Sequence, residues 1–290
     1  MYRVHGRSWI ALGDPIGPGE ERRELVVDFR RLSDSYKGST VFYQVGKEDL
    51  SLYLDLGLTL LKIGEEAHIS LERFSLANPE YKEFDHARRK VDDKGFKFDV
   101  WPPSQSPERL RELKGVSDAW LSEKHTREKG FSLGFFDERY LSNFPIGIVT
   151  HGGRVSAFIV IWPGAGKREF SADLVRFVPH EAPNAMMDYL FSHLLLWGKE
   201  QGYQWFNMGM APLSGLENNE FAPLWQRLGA FVYTHGEHFY NFQGLRQYKE
   251  KFYPVWEPKY LASPGGLALP RIFADIASLN SRGMRGIFTK

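Results

Sequence analysis

Two segments, "LGLTLLKIGEEAH" at residues 56–68 and "LGAFVYTHGEHFY" at residues 228–240, share an ordered pattern that decides the predicted fold. Each begins with Leu-Gly, and seven residues after each glycine comes Gly-Glu, so that Glu237 is the counterpart of Glu65. Around each copy the sequence predicts the order helix, strand, helix, strand. A repeated unit of this kind indicates two copies of one α/β domain in tandem.

The domain organisation follows from this repeat and from the alternation of β-rich runs with helical patterns, which predicts an α/β fold with mixed sheets. We expect a first domain at residues 1–108, a connecting helical segment at 109–130 and a second domain at 131–290 that carries the catalytic site. In the second domain, one helix with a clear apolar stripe is predicted to be capped by Asn184 and to end at Gly202.

Composition excludes several classes of protein. The chain has 290 residues, 42% of them hydrophobic and 25% charged, which is ordinary for a globular protein. It contains no cysteine, so disulfides, thiolate nucleophiles and zinc–cysteine sites are excluded. The net charge is +1, so any anion must be bound by local patches rather than by a global field. The densest apolar run, "YLFSHLLLWG", is far shorter than the roughly 18 to 20 residues of a membrane span.

The order of elements in the second half resembles the GNAT acyltransferase fold. GNAT enzymes that use coenzyme A carry a Gln/Arg-x-x-Gly-x-Gly/Ala turn, whose backbone N–H groups bind the pyrophosphate. The chain has no such turn at the expected place. We therefore expect another activated acyl donor, and no cofactor.

Two charged residues interrupt the apolar run "SADLVRF" at residues 171–177. Asp173 and Arg176 lie among apolar neighbours that are typical of a central strand, where charges must be paired or must face a cavity. A simple surface ion pair is the alternative interpretation. In a GNAT-like domain this strand lies beside the acyl site, which makes both residues candidates for catalysis.

Glu237, in the repeated Gly-Glu pair, is a further candidate. A carboxylate beside a bound amino acid can pair with its α-ammonium group or accept a proton from an attacking hydroxyl. A solvated glutamate at a strand edge is the alternative. His235 and His238 lie nearby, but in a strand they would point to opposite faces, and no third ligand is evident, so we expect no metal.

The basic stretch "GLRQYKEKFYP" at residues 244–254 places cations on a short helix that aromatic residues anchor. Arg246 and Lys249 lie on one face with Lys251 near its edge, which suits a phosphate group. A solvated basic face is the alternative. Residues 108–129 have six basic and five acidic residues, which is typical of a solvated helix unless the basic residues lie on one side.

Four motifs together indicate a family. They are "ALGDPIGP" at 11–18, "FSLGFFDERYL" at 131–141, "FNMGMAPLSGL" at 206–216 and "GEHFYNFQGLRQYKEKFYPVWEPKYLA" at 236–262. These motifs resemble the cytosolic catalytic domain of aminoacyl-phosphatidylglycerol synthases, the multiple peptide resistance factors. The resemblance spans nearly the whole chain.

The resemblance implies tandem GNAT-like acyltransferase domains joined by a helix. It implies transfer of a lysyl or alanyl group from aminoacyl-tRNA to the glycerol hydroxyl of phosphatidylglycerol. Members carry an N-terminal multi-span flippase region and act at the cytoplasmic face of the cell membrane, this domain alone being soluble and cytosolic. The product lowers the attraction of the membrane for cationic antimicrobial peptides.

The resemblance implies that Asp173, Arg176, Glu237, Arg246 and Lys251 are site residues, and the charge pattern of the sequence adds the others. The expected catalytic residues are Asp173, Arg176, Glu237 and Lys251. Arg246 and Lys249 are expected to bind the lipid phosphate, and Lys114, Lys124 and Arg127 to bind tRNA. Two alternatives stay open: a Fem-like enzyme that transfers amino acids from tRNA to a cell-wall peptide precursor, and a non-catalytic module that binds lipid or RNA.

Overall fold

The computed structural model describes residues 1–104, 106–124, 128–216 and 242–281. Strands and helices alternate through these residues, and both parallel and antiparallel strand pairs occur, so the predicted α/β class with mixed sheets is confirmed. Within these ranges no helix has both the length and the apolar character needed to cross a membrane. The second copy of the repeat, at 228–240, lies outside the described residues.

The strands of the described chain are numbered in chain order. They are β1 (Tyr2–His5), β2 (Ser8–Leu12), β3 (Ser39–Val45), β4 (Thr59–Ser70), β5 (Lys97–Trp101), β6 (Ile146–His151), β7 (Arg154–Pro163), β8 (Glu169–Phe177), β9 (Trp205–Pro212) and β10 (Val255–Ser263).

The α-helices of the same residues are numbered in the same way. They are α1 (Gly19–Ser35), α2 (Leu50–Asp55), α3 (Lys82–Asp92), α4 (Pro107–Glu123), α5 (Glu138–Leu141), α6 (Met186–Glu200), α7 (Phe242–Glu250) and α8 (Leu269–Asn280). Short 3₁₀ turns occupy Pro79–Tyr81, Ala165–Lys167 and Gly266–Ala268.

The chain packs into two compact units. The first unit contains residues 1–67 and the described residues from Met210 onward, and the second contains His68–Gly209. The boundaries fall within β4 and within β9. These units are defined by packing, whereas the predicted division at residues 108 and 131 concerns duplicated domains and stays a prediction.

The first unit contains the strand order β1-β2-β3-β10-β4. β1 and β2 form an antiparallel hairpin, β2 and β3 are parallel, and β10 runs antiparallel to β3. The residues at which β2 and β3 begin therefore lie at the same end as the residue at which β10 ends. Val26 of α1 and Tyr53 of α2 pack with Phe42 of β3 in an apolar cluster, which fixes these two helices to the sheet.

The second unit contains the strand order β9-β8-β7-β6-β5. β5 to β8 are antiparallel neighbours, and β8 pairs with β9 in parallel. Leu113 and Val116 of α4 pack with Phe158 of β7 and Leu174 of β8 in an apolar cluster of this unit. The strand that carries Asp173 is thus internal to the unit, as its apolar neighbours predict.

The start of α6 differs from the prediction. Asn184 does not cap this helix, because the N-cap position is held by Ala185, without a side-chain hydrogen bond. The N–H of Met186 instead donates to the Pro183 carbonyl at 2.9 Å, so a backbone turn satisfies the first helical amide. The predicted end is confirmed: Gly202 follows the last turn with φ of +82°, the left-handed conformation that favours glycine.

Candidate active site

Asp173 and Arg176 lie on β8 beyond the point where its parallel pairing with β9 ends. β8 and β9 pair at three positions, of which Ser171 with Asn207 is the last. Asp173 and Arg176 lie on the part of β8 beyond that pair, where its partner is β7. The Asn207 side chain accepts the N–H of Gly209 at 2.8 Å, and Gly209 has φ of +80°, so the backbone of β9 departs from regular strand geometry just after this pair. The two strands separate where the charged side chains begin.

Asp173 is a largely buried carboxylate with an unusual proton affinity. Burial raises the pKa of Asp173 to about 6, against the opposing effects of a hydrogen bond from the Gly134 N–H and of the nearby Arg176 charge. A Cβ added at Gly134 would lie only 2.2 Å from the Asp173 Oδ1, so the segment can approach the carboxylate only because residue 134 has no side chain. A carboxyl group with this pKa can exchange a proton near neutral pH.

Arg176 is held in one orientation by three neighbours. Its guanidinium forms an ion pair with Glu128 at 3.3 Å and lies 4.1 Å from the centroid of the Trp120 ring. It also donates to the Val175 carbonyl at 3.0 Å. Burial lowers the pKa of Arg176, and the Glu128 and Asp173 carboxylates oppose this shift. The side chain stays cationic, because arginine has a very high intrinsic pKa.

Tyr140 of α5 completes this group. Burial, followed by the charge of Asp173, raises the pKa of Tyr140 to about 12, so its hydroxyl stays protonated at neutral pH. A hydrogen bond from Trp162 opposes the rise. Asp137 caps the short helix by accepting the Tyr140 N–H at 2.8 Å, which fixes the position of the ring. The group thus combines a carboxylate, a guanidinium and a hydroxyl.

A second group lies in the first unit, around Glu65. This carboxylate accepts hydrogen bonds from Arg246 at 2.6 Å and from Lys62 at 2.7 Å. These two cations hold the pKa of Glu65 below its usual value despite the opposing effect of burial, which is the largest single influence. Arg246 also pairs with Glu250 at 2.8 Å and lies 4.2 Å from the centroid of the Trp256 ring. Arg246 is therefore an ordered cation with two carboxylate partners.

The two other predicted cations near α7 differ in burial. Lys249 is only 5% exposed and donates to the Met210 carbonyl at 3.0 Å. Burial lowers its pKa to about 8, while the Glu66 carboxylate opposes the shift. Lys251, by contrast, is half-buried, with its Nζ 5.2 Å from the centroid of the Tyr248 ring. Lys249 is thus an interior group, whereas Lys251 reaches the surface.

The residues predicted to bind tRNA are placed on or after α4. Lys114 pairs with Asp118 one helical turn away, at 2.7 Å. Lys124 is exposed at the end of this helix. Arg127 lies outside the described residues. A lysine whose charge is paired within its own helix is typical of a solvated helix surface. The assignment of these residues to tRNA binding stays a prediction.

The predicted site residues therefore form two described groups. Asp173 and Arg176 interact with each other in the second unit, whereas Arg246 and Lys249 of α7 and Lys251 just after it belong to the first unit. Glu237 lies outside the described residues, so its membership stays a prediction.

Several residues that contact these groups are not predicted as site residues from the sequence: Gly134, Glu128, Tyr140, Trp120, Lys62 and Trp256. Gly134 and Tyr140 lie within the quoted motif at 131–141, which was a usable signal. Glu65 was noted only as the counterpart of Glu237. Nothing in the local pattern distinguishes Trp120 from an ordinary helical aromatic.

Comparison with known proteins identifies the family. The family model described as "Phosphatidylglycerol lysyltransferase, C-terminal" matches residues 1–263. The chain belongs to this family. A phosphatidylglycerol lysyltransferase of Staphylococcus aureus (strain MRSA252) is 40% identical over 262 residues, and one of Staphylococcus haemolyticus is 38% identical over the same length. The match covers 90% of this chain, but the chain spans only 31% of the length of these relatives.

Solved structures give a consistent result. The structure of L-PGS from Bacillus licheniformis has a TM-score of 0.86 and 38% identity, and the match covers 97% of this chain and 85% of that one. The C-terminal domain of a protein named as a lysylphosphatidylglycerol synthetase from Agrobacterium fabrum also has a TM-score of 0.86, with 37% identity, over 99% of this chain and 87% of that one. FemX shares the fold alone, with a TM-score of 0.58 and 8% identity over 94% of this chain and 85% of its own.

Proposed function

We propose that this chain transfers a lysyl or alanyl group from aminoacyl-tRNA to the glycerol hydroxyl of phosphatidylglycerol. The observation that carries the proposal is the family match over residues 1–263. Relatives named phosphatidylglycerol lysyltransferases support it, and their name makes lysyl-tRNA the first donor to test.

The proposed reaction is a transesterification. The lipid hydroxyl oxygen bonds to the carbonyl carbon of the aminoacyl ester, and the bond from that carbon to the ribose oxygen of the tRNA breaks. The proton of the lipid hydroxyl ends on the released ribose oxygen. Because the donor ester is already activated, the reaction needs neither coenzyme A nor ATP.

Asp173 and Arg176 suit the charge changes of this reaction. With a pKa of about 6, the Asp173 carboxylate is mostly ionised at neutral pH, and it can pair with the α-ammonium group or accept the hydroxyl proton. The Arg176 guanidinium, fixed by Glu128 and Trp120, can stabilise the negative charge that develops on the carbonyl oxygen. Preorganisation matters because a cation that is already oriented need not reorganise during the reaction.

We assign the lipid phosphate to the cations near α7. The contact of Arg246 with Glu250 involves a half-exposed carboxylate, and a phosphate can replace such a partner at small cost. Lys251 is half-buried and can supply a second contact to the phosphate. Lys249 is too buried to touch the phosphate in this conformation, so its charge would act through the local potential. Glu237 is proposed to orient the α-ammonium group or to assist removal of the hydroxyl proton.

The remaining partners and the location belong to the same proposal. This chain spans only 31% of the length of its relatives, which is consistent with the N-terminal multi-span flippase region that the family resemblance implies. In a full-length protein this domain would act at the cytoplasmic face of the cell membrane. Aminoacylated phosphatidylglycerol carries less negative charge, which would protect the cell from cationic antimicrobial peptides.

A comparison of two acceptors, each offered separately, tests the function. The chain is incubated with lysyl- or alanyl-tRNA and with either phosphatidylglycerol vesicles or a lipid-linked cell-wall peptide precursor. We expect an aminoacylated lipid from phosphatidylglycerol and none from the precursor. Preferential use of the precursor would favour the Fem-like alternative, for which the likeness to FemX supports only the fold.

A further inference from the structure

A row of aromatic rings lies at one edge of the sheet of the first unit. Trp9 stacks on Tyr2, with centroids 5.6 Å apart and planes at 21°, and it packs against Tyr36 at 5.0 Å and 30°. Tyr2 and Tyr36 remain 46% and 68% exposed. β1 is the edge strand, so this near-parallel row is open to solvent at the border of the sheet.

Three cations lie beside this row, at the end of the sheet where β2 and β3 begin. Arg7 donates to the Lys37 carbonyl at 3.1 Å and accepts the Ser39 N–H at 2.7 Å through its own carbonyl. Arg271, in the first turn of α8, donates to the Ser39 Oγ at 2.8 Å. Arg7, Lys37 and Arg271 are all exposed. These contacts place the Arg7 and Arg271 guanidinium groups at the start of β3, next to the backbone of Lys37.

The acidic residues near these cations do not cancel them. Asp34 is paired with Arg30 at 2.9 Å. Asp275 is buried and forms hydrogen bonds with the Ser8 hydroxyl at 2.6 Å and with the His5 ring at 2.8 Å. The surface formed by Tyr2, Trp9, Tyr36, Arg7, Lys37 and Arg271, here named the aromatic–basic edge, therefore has a net positive charge.

We propose that the aromatic–basic edge binds RNA, with unpaired bases stacking on the tyrosines and phosphates contacting the three cations. Aromatic faces beside cations are the usual means of binding single-stranded nucleic acid, because every base has a π face and every nucleotide a phosphate. Given the function proposed above, on which this assignment rests, the RNA is the aminoacyl-tRNA donor.

The dimensions of the unit favour RNA over lipid at this surface. Lys251 precedes the start of β10 and Arg271 follows its end, and a strand of nine residues spans roughly 30 Å. An RNA helix can bridge such a separation, whereas a single lipid bound near Lys251 cannot. Arg271 lies beyond residues 1–263, which the family model matches.

Fluorescence anisotropy with uncharged tRNA at several salt concentrations tests the proposal. Tyr36→Ser should weaken binding about tenfold through the loss of stacking. Arg7→Gln should reduce the salt slope by about 0.7 to 0.9, because one phosphate contact is lost. Lys37→Asn should act in the same way, and asparagine tolerates the φ of +52° at this position. Arg23→Gln is the matched control, because Arg23 is also exposed and pairs with Asp55 at 2.7 Å.

Two results would overturn the assignment. The first is unchanged tRNA affinity in the Tyr36 and Arg7 variants. The second is normal tRNA affinity with lost binding to phosphatidylglycerol vesicles, which would make a lipid surface the occupant, a role that the fully exposed Leu267 at the same end could support. Transfer by the wild-type chain is measured separately, so that tRNA binding at this edge without any transfer would refute only the proposed function.

Discussion

The N–H of Gly134 donates a hydrogen bond to the Asp173 carboxylate, and a Cβ at residue 134 would lie 2.2 Å from the Asp173 Oδ1. Gly134→Ala must therefore displace either the segment or the carboxylate. We expect at least a tenfold loss of kcat/KM, with destabilisation of about 1 to 3 kcal/mol from overpacking. Gly115→Ala is the control, since a Cβ there meets nothing within 4 Å. If the Gly134 and Gly115 variants were equally active, Gly134 would not be part of the site.

The pH dependence of activity should report Asp173. If its carboxylate is the active form, kcat/KM rises with pH through a midpoint at about 6, and Asp173→Asn loses this dependence along with most activity. Stability should change in the opposite direction. The native state binds more protons than the unfolded state between about pH 4 and 6, so the unfolding free energy falls as pH rises through that window. A midpoint near 4 in wild-type profiles would contradict this assignment.

The ring of Trp120 should matter because it orients Arg176. Trp120→Leu removes the cation–π contact and should lower kcat about tenfold, while Trp120→Phe should retain much of the activity. Steady-state kinetics with saturating donor measures this difference. Trp101→Leu is a matched control in the same unit, because Arg109 lies 4.7 Å from that ring without contacting Asp173 or Arg176. Similar losses in the Trp101 and Trp120 variants would indicate a general packing effect.

The buried Lys249 should make the unfolding free energy depend on pH in the alkaline range. Its pKa in the folded chain, about 8, lies below the usual lysine value of about 10.4, so the unfolded state binds more protons between these values. The unfolding free energy should therefore rise with pH across that window, and Lys249→Met should abolish the rise. Denaturant titrations at pH 7.5 and 9.5 measure it, with Lys251→Met as the surface control. A rise that persists in Lys249→Met would disprove this origin.

Much of the fold could be predicted from the sequence, since apolar periodicity decides strand and helix type. The run around Asp173 was correctly placed on an internal strand, because its neighbours Leu174 and Val175 are apolar. The cap of α6 was not, because a backbone turn from Pro183 replaced the expected asparagine side chain. Side-chain preferences at helix ends describe only one of several ways to satisfy the first amides.

The candidate site was less accessible from the sequence, since its contacts join distant segments. Asp173 and Arg176 were identified as a pair, but the burial that raises the Asp173 pKa depends on tertiary packing. Arg246 was predicted as a phosphate ligand, yet its partner Glu65 is 181 residues away along the chain. Spacing within one segment cannot report such a contact.

The most direct test follows labelled lysine or alanine from tRNA into lipid. Purified chain is mixed with charged tRNA and phosphatidylglycerol vesicles, and the organic phase is separated by thin-layer chromatography. Arg176→Ala serves as the matched inactive variant. We predict labelled aminoacyl-phosphatidylglycerol with the wild-type chain and at least a hundredfold less with the variant. The absence of labelled lipid with both donors, from a chain that is folded and binds tRNA, would contradict the proposed function.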